Sequence, residues 1–408
     1  MKRLTLIILG ALLVSLTPMT AHAQEVDVLV DKLVQKGVLS QTEGDAILKK
    51  AHEKSMAESS SVPEWVKNVK LKGDFRLRYQ YDKKKSDSDA RNRERIRYRL
   101  GIESKVNDQF KVGAGLASGG SDPRSTNQTL QDSFSTKGIN LDYAYGEWAP
   151  TDWLKIVGGK FTRKAWLWQP TDLLWDGDIN PEGQSAHVQV NLADNLDGWW
   201  NMGLWIVDEN GKVKAKDPFL YYNQVGVKGS YDKVDATVAG TYYAFEGLKG
   251  HTLDSTAGTN TLSGGNLRYN YDVFQISGEV GASDFFGGLP MHLDEHFAVF
   301  GDYVNNTDPS KNNTGWSVGA KLGSKKIKEF GTWQVKYIYA ALGMDAFPDA
   351  FPDSDRYGGA TDVKANEVIF ELGLNKNLSF GLDYYNSDRD KAASDREQVL
   401  QADLMMKF

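Results

Sequence analysis

The residues most able to do chemistry in this sequence are cations set at every second position. In VKLKGDFRLRYQY, Lys70, Lys72, Arg76 and Arg78 alternate with Val69, Leu71, Phe75, Leu77 and Tyr79. RERIRYRLGIESKV repeats the arrangement, with Arg95, Arg97 and Arg99 set against Ile96, Tyr98, Leu100 and Ile102. Lys111 follows on the next segment. Alternate residues of an extended chain share a face, so these cations form one wall. On that face of the same strands only Asp74 and Glu103 offer opposite charge. A second charged set lies between Thr162 and Gln184: Arg163, Lys164, Asp172, Asp176, Asp178 and Glu182, interspersed with Leu173, Leu174 and Trp175. Facing the wall across a narrow gap, these acids would create a transverse field that orients dipolar solutes and sorts ions. The competing expectation is an external lid whose acids are simply solvated.

Covalent chemistry finds little support. The chain has no cysteine, which removes thiolate nucleophiles, disulfides and cysteine-ligated metals. No histidine is placed beside a plausible nucleophilic serine, so no enzyme activity and no cofactor are expected. In HLDEH, His292, Asp294 and His296 share one strand face, a spacing able to place two ligands on zinc. Polar residues at a barrel rim explain them better. Asp345, Asp349, Asp353 and Asp355 in DAFPDAFPDSD are hard carboxylates suited to calcium, but they lack the EF-hand spacing. The expectation is no metal site and a solvated, turn-rich loop, with Asp349, Asp353 and Asp355 as the weak candidates.

Strands must position the basic wall, because the hydrophobic period is two from Val69 onward. The same count yields sixteen segments: 68–81, 93–106, 110–118, 138–148, 153–161, 185–192, 199–207, 220–229, 233–245, 266–281, 293–304, 314–323, 331–342, 363–374, 378–386 and 397–408. The eighth alternates weakly. The tenth changes parity between Val273 and Phe274, which implies a bulge or a misplaced end. Connections alternate long and short, as when one end of a barrel carries tight turns and the other long loops. Aromatic residues gather near segment ends: Tyr79, Tyr81, Tyr242, Tyr243, Phe245, Tyr303, Tyr384 and Tyr385 on the long-loop side, Phe110, Trp148, Trp153, Trp199, Trp200, Trp333 and Phe408 on the other. Lipid–water interfaces favour such belts. The predicted fold is all-β, an antiparallel transmembrane β-barrel of about sixteen strands. In it the basic wall must face inward, since each Arg or Lys on the lipid side costs about 2–4 kcal/mol near the midplane.

The chain before the barrel differs. Residues 1–23 read as a signal peptide: Lys2 and Arg3, an apolar run from Leu4 to Leu16, then Ala21-His22-Ala23. Without Lys2 and Arg3 the balance is 46 basic against 54 acidic side chains, a net charge of −8, which argues against a nucleic-acid partner. Residues 24–58 read as a helical periplasmic segment. Val26, Leu29, Leu33 and Val34 fall at helical spacing, Gly37 interrupts, and Ser40 with Glu43 forms a capping box. Residues 59–67 read as a linker, and 68–408 as the barrel.

The last strand, QADLMMKF, places Leu404, Met406 and Phe408 on one face and Asp403 and Lys407 on the other. It must close against the first strand, since an open edge is intolerable in lipid. Its terminal aromatic resembles the recognition signal read by the barrel assembly machinery of bacterial outer membranes. LVDKLVQKGVLSQTEGDAIL, LDYAYGEWAP, TDLLWDGDINPEG and DAFPDAFPDSDRYGGATDVK, in that order, resemble the bacterial family of putative porins. The resemblance implies a water-filled outer-membrane channel for passive diffusion of small hydrophilic solutes or ions. By analogy with general porins it also implies a homotrimer and a loop folded into the lumen. A basic wall of this kind gives a weak expectation of anion preference. The alternatives are an envelope tether using residues 25–58, or an outer-membrane barrel enzyme.

Overall fold

The computed structural model describes residues 20–60, 64–211, 216–284 and 295–408. It divides into two compact units, Met1–Asn68 and Val69–Phe408. Residues 1–19, the body of the expected signal peptide, lie outside the described residues.

In the first unit, α1 (Thr20–Gln35) and α2 (Gln41–Ser60) are followed by a single turn, α3 (Glu64–Lys67). Gly37 takes a φ of 71°. Its N–H donates to Val34 O at 2.9 Å and the Val38 N–H to Leu33 O at 3.0 Å, the Schellman ending that glycine favours. The expected capping box starts α2: the Ser40 N–H donates to Glu43 Oε2 at 2.9 Å, and the Glu43 N–H to Ser40 Oγ at 3.3 Å. Val30 and Val34 pack on Gly44, where an added Cβ would lie 2.7 Å from Val34 Cγ2. The seam therefore runs through Val30 and Val34, while Leu29 is exposed.

The second unit is an antiparallel barrel of sixteen long strands. They are β1 (Lys70–Lys84), β2 (Arg91–Lys105), β3 (Phe110–Ser118), β4 (Ile139–Thr151), β5 (Leu154–Lys160), β6 (Glu182–Ala193), β7 (Leu196–Ile206) and β8 (Phe219–Tyr231). The second half comprises β9 (Val234–Glu246), β10 (Tyr271–Ser283), β11 (Glu295–Asn306), β12 (Thr314–Ser324), β13 (Trp333–Leu342), β14 (Val363–Asn375), β15 (Leu378–Arg389) and β16 (Glu397–Lys407). Every expected segment overlaps one strand. A two-residue strand, Gln128–Thr129, also pairs with β2. The circle closes where β16 pairs with β1, from Asp74 opposite Lys407 to Lys84 opposite Glu397. Tight turns rest on Asn195, Asp232 and Asn377 at φ of 63°, 52° and 64°, a left-handed conformation that Asn and Asp tolerate best among side-chain-bearing residues.

Alternation holds on the outer face. Leu77, Ile102, Val225, Ile276, Val318 and Val368 are exposed there, as a lipid-facing band requires. The inner face departs from expectation on one side. Trp205, Tyr222, Tyr243, Tyr271, Val273 and Ile338 point inward and are fully buried. They meet a cluster carried by the long loops: Trp166, Leu173, Leu174, Trp175, Phe347 and Ala350. That apolar lining is why the eighth segment alternates weakly, with Leu220, Tyr222 and Gln224 all buried. It also explains the tenth. β10 begins at Tyr271, its pairing with β9 and β11 is unbroken, and Val273 faces the interior cluster. Asn266–Leu267 belongs instead to a separate small hairpin with Leu262–Ser263.

The aromatic belts are accordingly thinner than expected. Tyr243, Phe245 and Tyr385 are buried inside. Trp199 also turns inward, edge-on to Trp168 at 6.2 Å. Tyr79, Tyr303, Phe110, Trp148, Trp153, Trp200 and Phe408 remain exposed.

Candidate functional site: the lumen and its infolded loops

The loop after β5, residues 161–181, opens with a 3₁₀ turn, Arg163–Ala165, and runs into the barrel. Trp175 anchors it. Its ring lies 5.4 Å from Trp205, 5.3 Å from Phe347 and 4.9 Å from Phe351. Such aromatic pairs add about 0.5–1.5 kcal/mol beyond area burial. Arg163 staples the loop to itself rather than facing a channel, since its guanidinium donates to Gln169 Oε1 at 2.6 Å and Asp176 O at 2.9 Å. With no carboxylate partner among the described residues, its pKa is pulled down by burial to about 10.

A second infolded loop, residues 343–362, packs against the first. The Asp176 N–H donates to Phe351 O at 2.7 Å, and the Ser354 N–H returns a bond to Asp176 Oδ2 at 2.8 Å. This loop is buried, which corrects the expectation of a solvated one. Its acids also do not converge. Asp345 accepts from the Thr261 N–H at 2.8 Å, and Asp349 from the Asn260 N–H at 3.2 Å and the Thr256 hydroxyl. Asp355 reaches Arg78 at 3.4 Å. Asp353 instead joins Asp172 and Glu367, three carboxylates within 4.8 Å of one another. The Arg356 guanidinium sits among them, 2.8 Å from Asp172 and 3.0 Å from Glu367. Of the zinc candidates, His292 and Asp294 lie outside the described residues, and His296 pairs with Asp235 at 3.0 Å.

Arg76, Arg78, Arg95, Arg97 and Arg99 share the inner parity of β1 and β2, as do Lys70 and Lys72. The open, unpaired ladder is corrected, however, because most of these cations have partners. Arg78 Nε and Nη2 donate to both oxygens of Asp403 at 2.7 and 2.8 Å. Arg97 and Arg99 share Asp74, at 2.8 and 2.7 Å. Lys72 pairs with Glu103 and Lys111 with Glu147, at 2.7 and 2.8 Å. Arg76 donates to Asn127 Oδ1 at 2.7 Å, and Arg95 to Gln80 Oε1 at 2.8 Å. Arg76, Arg78 and Arg97 are buried. Sequence parity already placed Asp403 inside; the missing step was that closure sets β16 beside β1.

Of the four loop acids, only Asp178 reaches the wall, 3.4 Å from Arg99 and 4.0 Å from Arg97. It also accepts from the Thr126 hydroxyl at 3.0 Å. The two arginines hold its carboxyl below the usual range despite burial. Asp176 points to the late loop instead. Burial and the neighbouring Asp178 push its carboxyl up to about 7. Asp172 is taken by Arg356, and Glu182 pairs with Lys160 at 2.9 Å.

Beside the Asp178 contact lie two cavities, of about 480 and 530 Å³. Asp142, Asp178 and Asn180 line both. Arg99, Lys72 and Lys164 line the first only, and Lys160 and Asp122 the second only. Asp142 was missed from sequence because it occupies a β-bulge: Gly115 pairs with Tyr143 and Leu116 with Leu141, leaving Asp142 between them. Bulges re-aim side chains in this way.

GWSVG, Gly315 to Gly319, has the spelling of a serine-nucleophile motif. It lies wholly within β12 rather than at the strand-to-helix turn that exposes such a serine. Ser317 donates to Asp302 at 3.2 Å inside the barrel.

A family model described as "Putative porin" matches residues 47–91, 83–283 and 269–408. The chain belongs to that family. It is thus a β-barrel porin of the bacterial outer membrane, with membrane lipid against its outer face. OprB of Pseudomonas putida, in its high-pH structure, shares the fold at a TM-score of 0.56 and 11% identity, over 84% of this chain and 95% of that one. OprB at low pH aligns at 0.49 and 10%, over 84% and 93%. Salmonella typhi OmpF in complex with daunomycin aligns at 0.47 and 12%, over 83% and 97%. No match is found among curated proteins.

Proposed function

We propose that this porin is a channel, not an enzyme, through which small hydrophilic solutes and ions diffuse passively, narrowed where loop 161–181 meets the basic wall. The observation that carries this is the Asp178–Arg99 contact at 3.4 Å, flanked by two polar cavities that share Asp142, Asp178 and Asn180. In this reading the apolar half of the lumen is sealed by the loops, and solutes pass along the charged half. Because Asp74, Glu103, Glu147, Asp178, Asp355 and Asp403 neutralise most of the ladder, selectivity falls to charges without ionic partners among the described residues. Lys164 and Arg95 among them support a weak anion preference. The exposed terminal face, Met406 and Phe408 with Leu404 beside them, is read as the signal for the barrel assembly machinery, and a homotrimer belongs to the same proposal.

Purified protein in a planar bilayer should show discrete conductance steps, and a salt gradient should give a small reversal potential of anion-selective sign. An electrically silent barrel would overturn the channel reading and favour a tether.

A further inference from the structure

The cavity of about 480 Å³ lies within the size range of small-ligand sites, and the charges lining it are not all balanced. Lys72 is paired with Glu103, and Asp74 with Arg97 and Arg99. Asp178 is paired with Arg99, while Arg163 is spent on carbonyl oxygens of its own loop. Apart from Arg163, three charged side chains remain without an ionic partner among the described residues. Lys407 is exposed at the end of β16. The other two are Lys164, which has no hydrogen-bond or ion-pair partner there, and Asp142, whose carboxylate accepts only from the neutral amide of Asn180, at 2.9 Å. Lys164 comes from the infolded loop and Asp142 from the barrel wall, where the bulge between Tyr143 and Leu141 turns it inward.

A solute that carries one sign of charge would satisfy one of these groups and be repelled by the other. A solute that carries both signs on a short skeleton satisfies both and adds no net charge to the cavity. Resting on the channel reading above, we propose that this cavity is a transit subsite for small zwitterions of the α-amino acid class. The solute carboxylate meets Lys164 and its ammonium meets Asp142. Asn180, already bonded to Asp142, holds that carboxylate in place. The ion-paired arginines next to it supply a fixed, neutralised floor.

Alanine and lactate test this directly, because they differ in one group: lactate has a hydroxyl where alanine has its ammonium. Liposomes containing the full-length protein are assayed for uptake of each, and the readouts are the two rates and their ratio. The unmodified protein should pass alanine at least about threefold faster than lactate. Asp142→Asn should bring the ratio towards unity, whereas Lys164→Gln, which removes the partner of the carboxylate that both solutes carry, should slow both, and Lys164→Arg should preserve both rates. Heat-modifiable migration on gels reports that each variant is folded. Equal rates for alanine and lactate, a ratio unmoved in folded Asp142→Asn, or rates unmoved in folded Lys164→Gln would overturn the subsite while leaving the channel standing. Faster lactate would replace it with a simple anion site. If neither solute enters and no conductance is seen, the channel reading fails and the subsite with it.

Discussion

Arg78 on β1 and Asp403 on β16 join the two ends of the barrel, with Nε and Nη2 of the guanidinium donating to the two carboxylate oxygens at 2.7 and 2.8 Å. The pair is directly opposed in the closing ladder, and the arginine is buried. Bidentate Arg–carboxylate pairs are among the strongest polar contacts in proteins. Removing one partner of a buried pair costs about 3–5 kcal/mol, because a charge is left stranded. Asp403→Ala should therefore lower the temperature at which the folded band is lost on gels. Restoring neutrality with Arg78→Met in the same chain should recover part of the loss. An unchanged midpoint for Asp403→Ala would show that the backbone ladder alone holds the seam.

Trp175→Ala should release loop 161–181 from the wall. Truncating a buried Trp typically costs about 3–5 kcal/mol, and Trp175 touches Trp205, Phe347 and Phe351 at once. The expected outcome is larger and noisier single-channel conductance with the barrel still folded. The outer band is untouched by this change, so membrane insertion should proceed normally. A conductance equal to that of the unmodified protein would mean that the loop does not define the narrow point.

Asp176 should make the junction between the two infolded loops pH-dependent. Its carboxyl is pushed up to about 7 by burial and by Asp178, against about 3.9 in an unfolded chain. The folded junction binds a proton that the released chain gives up between those values. The stabilisation is therefore complete below about 4 and fades as the pH rises through 7. Protease cleavage within residues 343–362 should be faster at pH 8 than at pH 5. Asp176→Asn, which cannot ionise, should flatten the difference. A reversed dependence would place the responsible group elsewhere.

Gly44→Leu should separate α1 from α2. A Cβ at that position already lies 2.7 Å from Val34 Cγ2, so a larger side chain cannot be accommodated without moving a helix. Amide exchange in residues 27–50 of the full-length protein should accelerate by an order of magnitude or more, on the basis of about 1–3 kcal/mol for overpacking. Strand amides should be unaffected.

The barrel was legible because lipid and water enforce a strict period of two on the outer face, and β1 and β2 show it without interruption. The same rule identified the inner parity of Arg76, Arg97 and Asp403. Pairing was harder to read. Asp403 lies far along the chain from Arg78, and only the closing of the circle brings them together. The loop acids show a second limit. Asp172, Asp176, Asp178 and Glu182 look equivalent in sequence, yet each has a different partner, chosen by how Trp175 seats the loop. Asp142 was hidden for a local reason: a bulge breaks the count, and no pattern in LDYAYGEW announces it. The weakly alternating segment around Tyr222 was a usable signal. An apolar residue on the inner face of a barrel strand implies something apolar inside to meet it.

Because that interior cluster is as thoroughly shielded from water as the heart of a soluble enzyme, the usual guide to mutating a barrel inverts along β7 to β13. Positions such as Tyr222, Tyr243 and Val273, which strand parity would mark as free for redesign, should be the least forgiving. Their outward neighbours, Val225 or Ile276, should accept almost any greasy replacement. Anyone reshaping this pore to carry new cargo should leave that half alone and work on the charged crescent around Asp142 and Lys164.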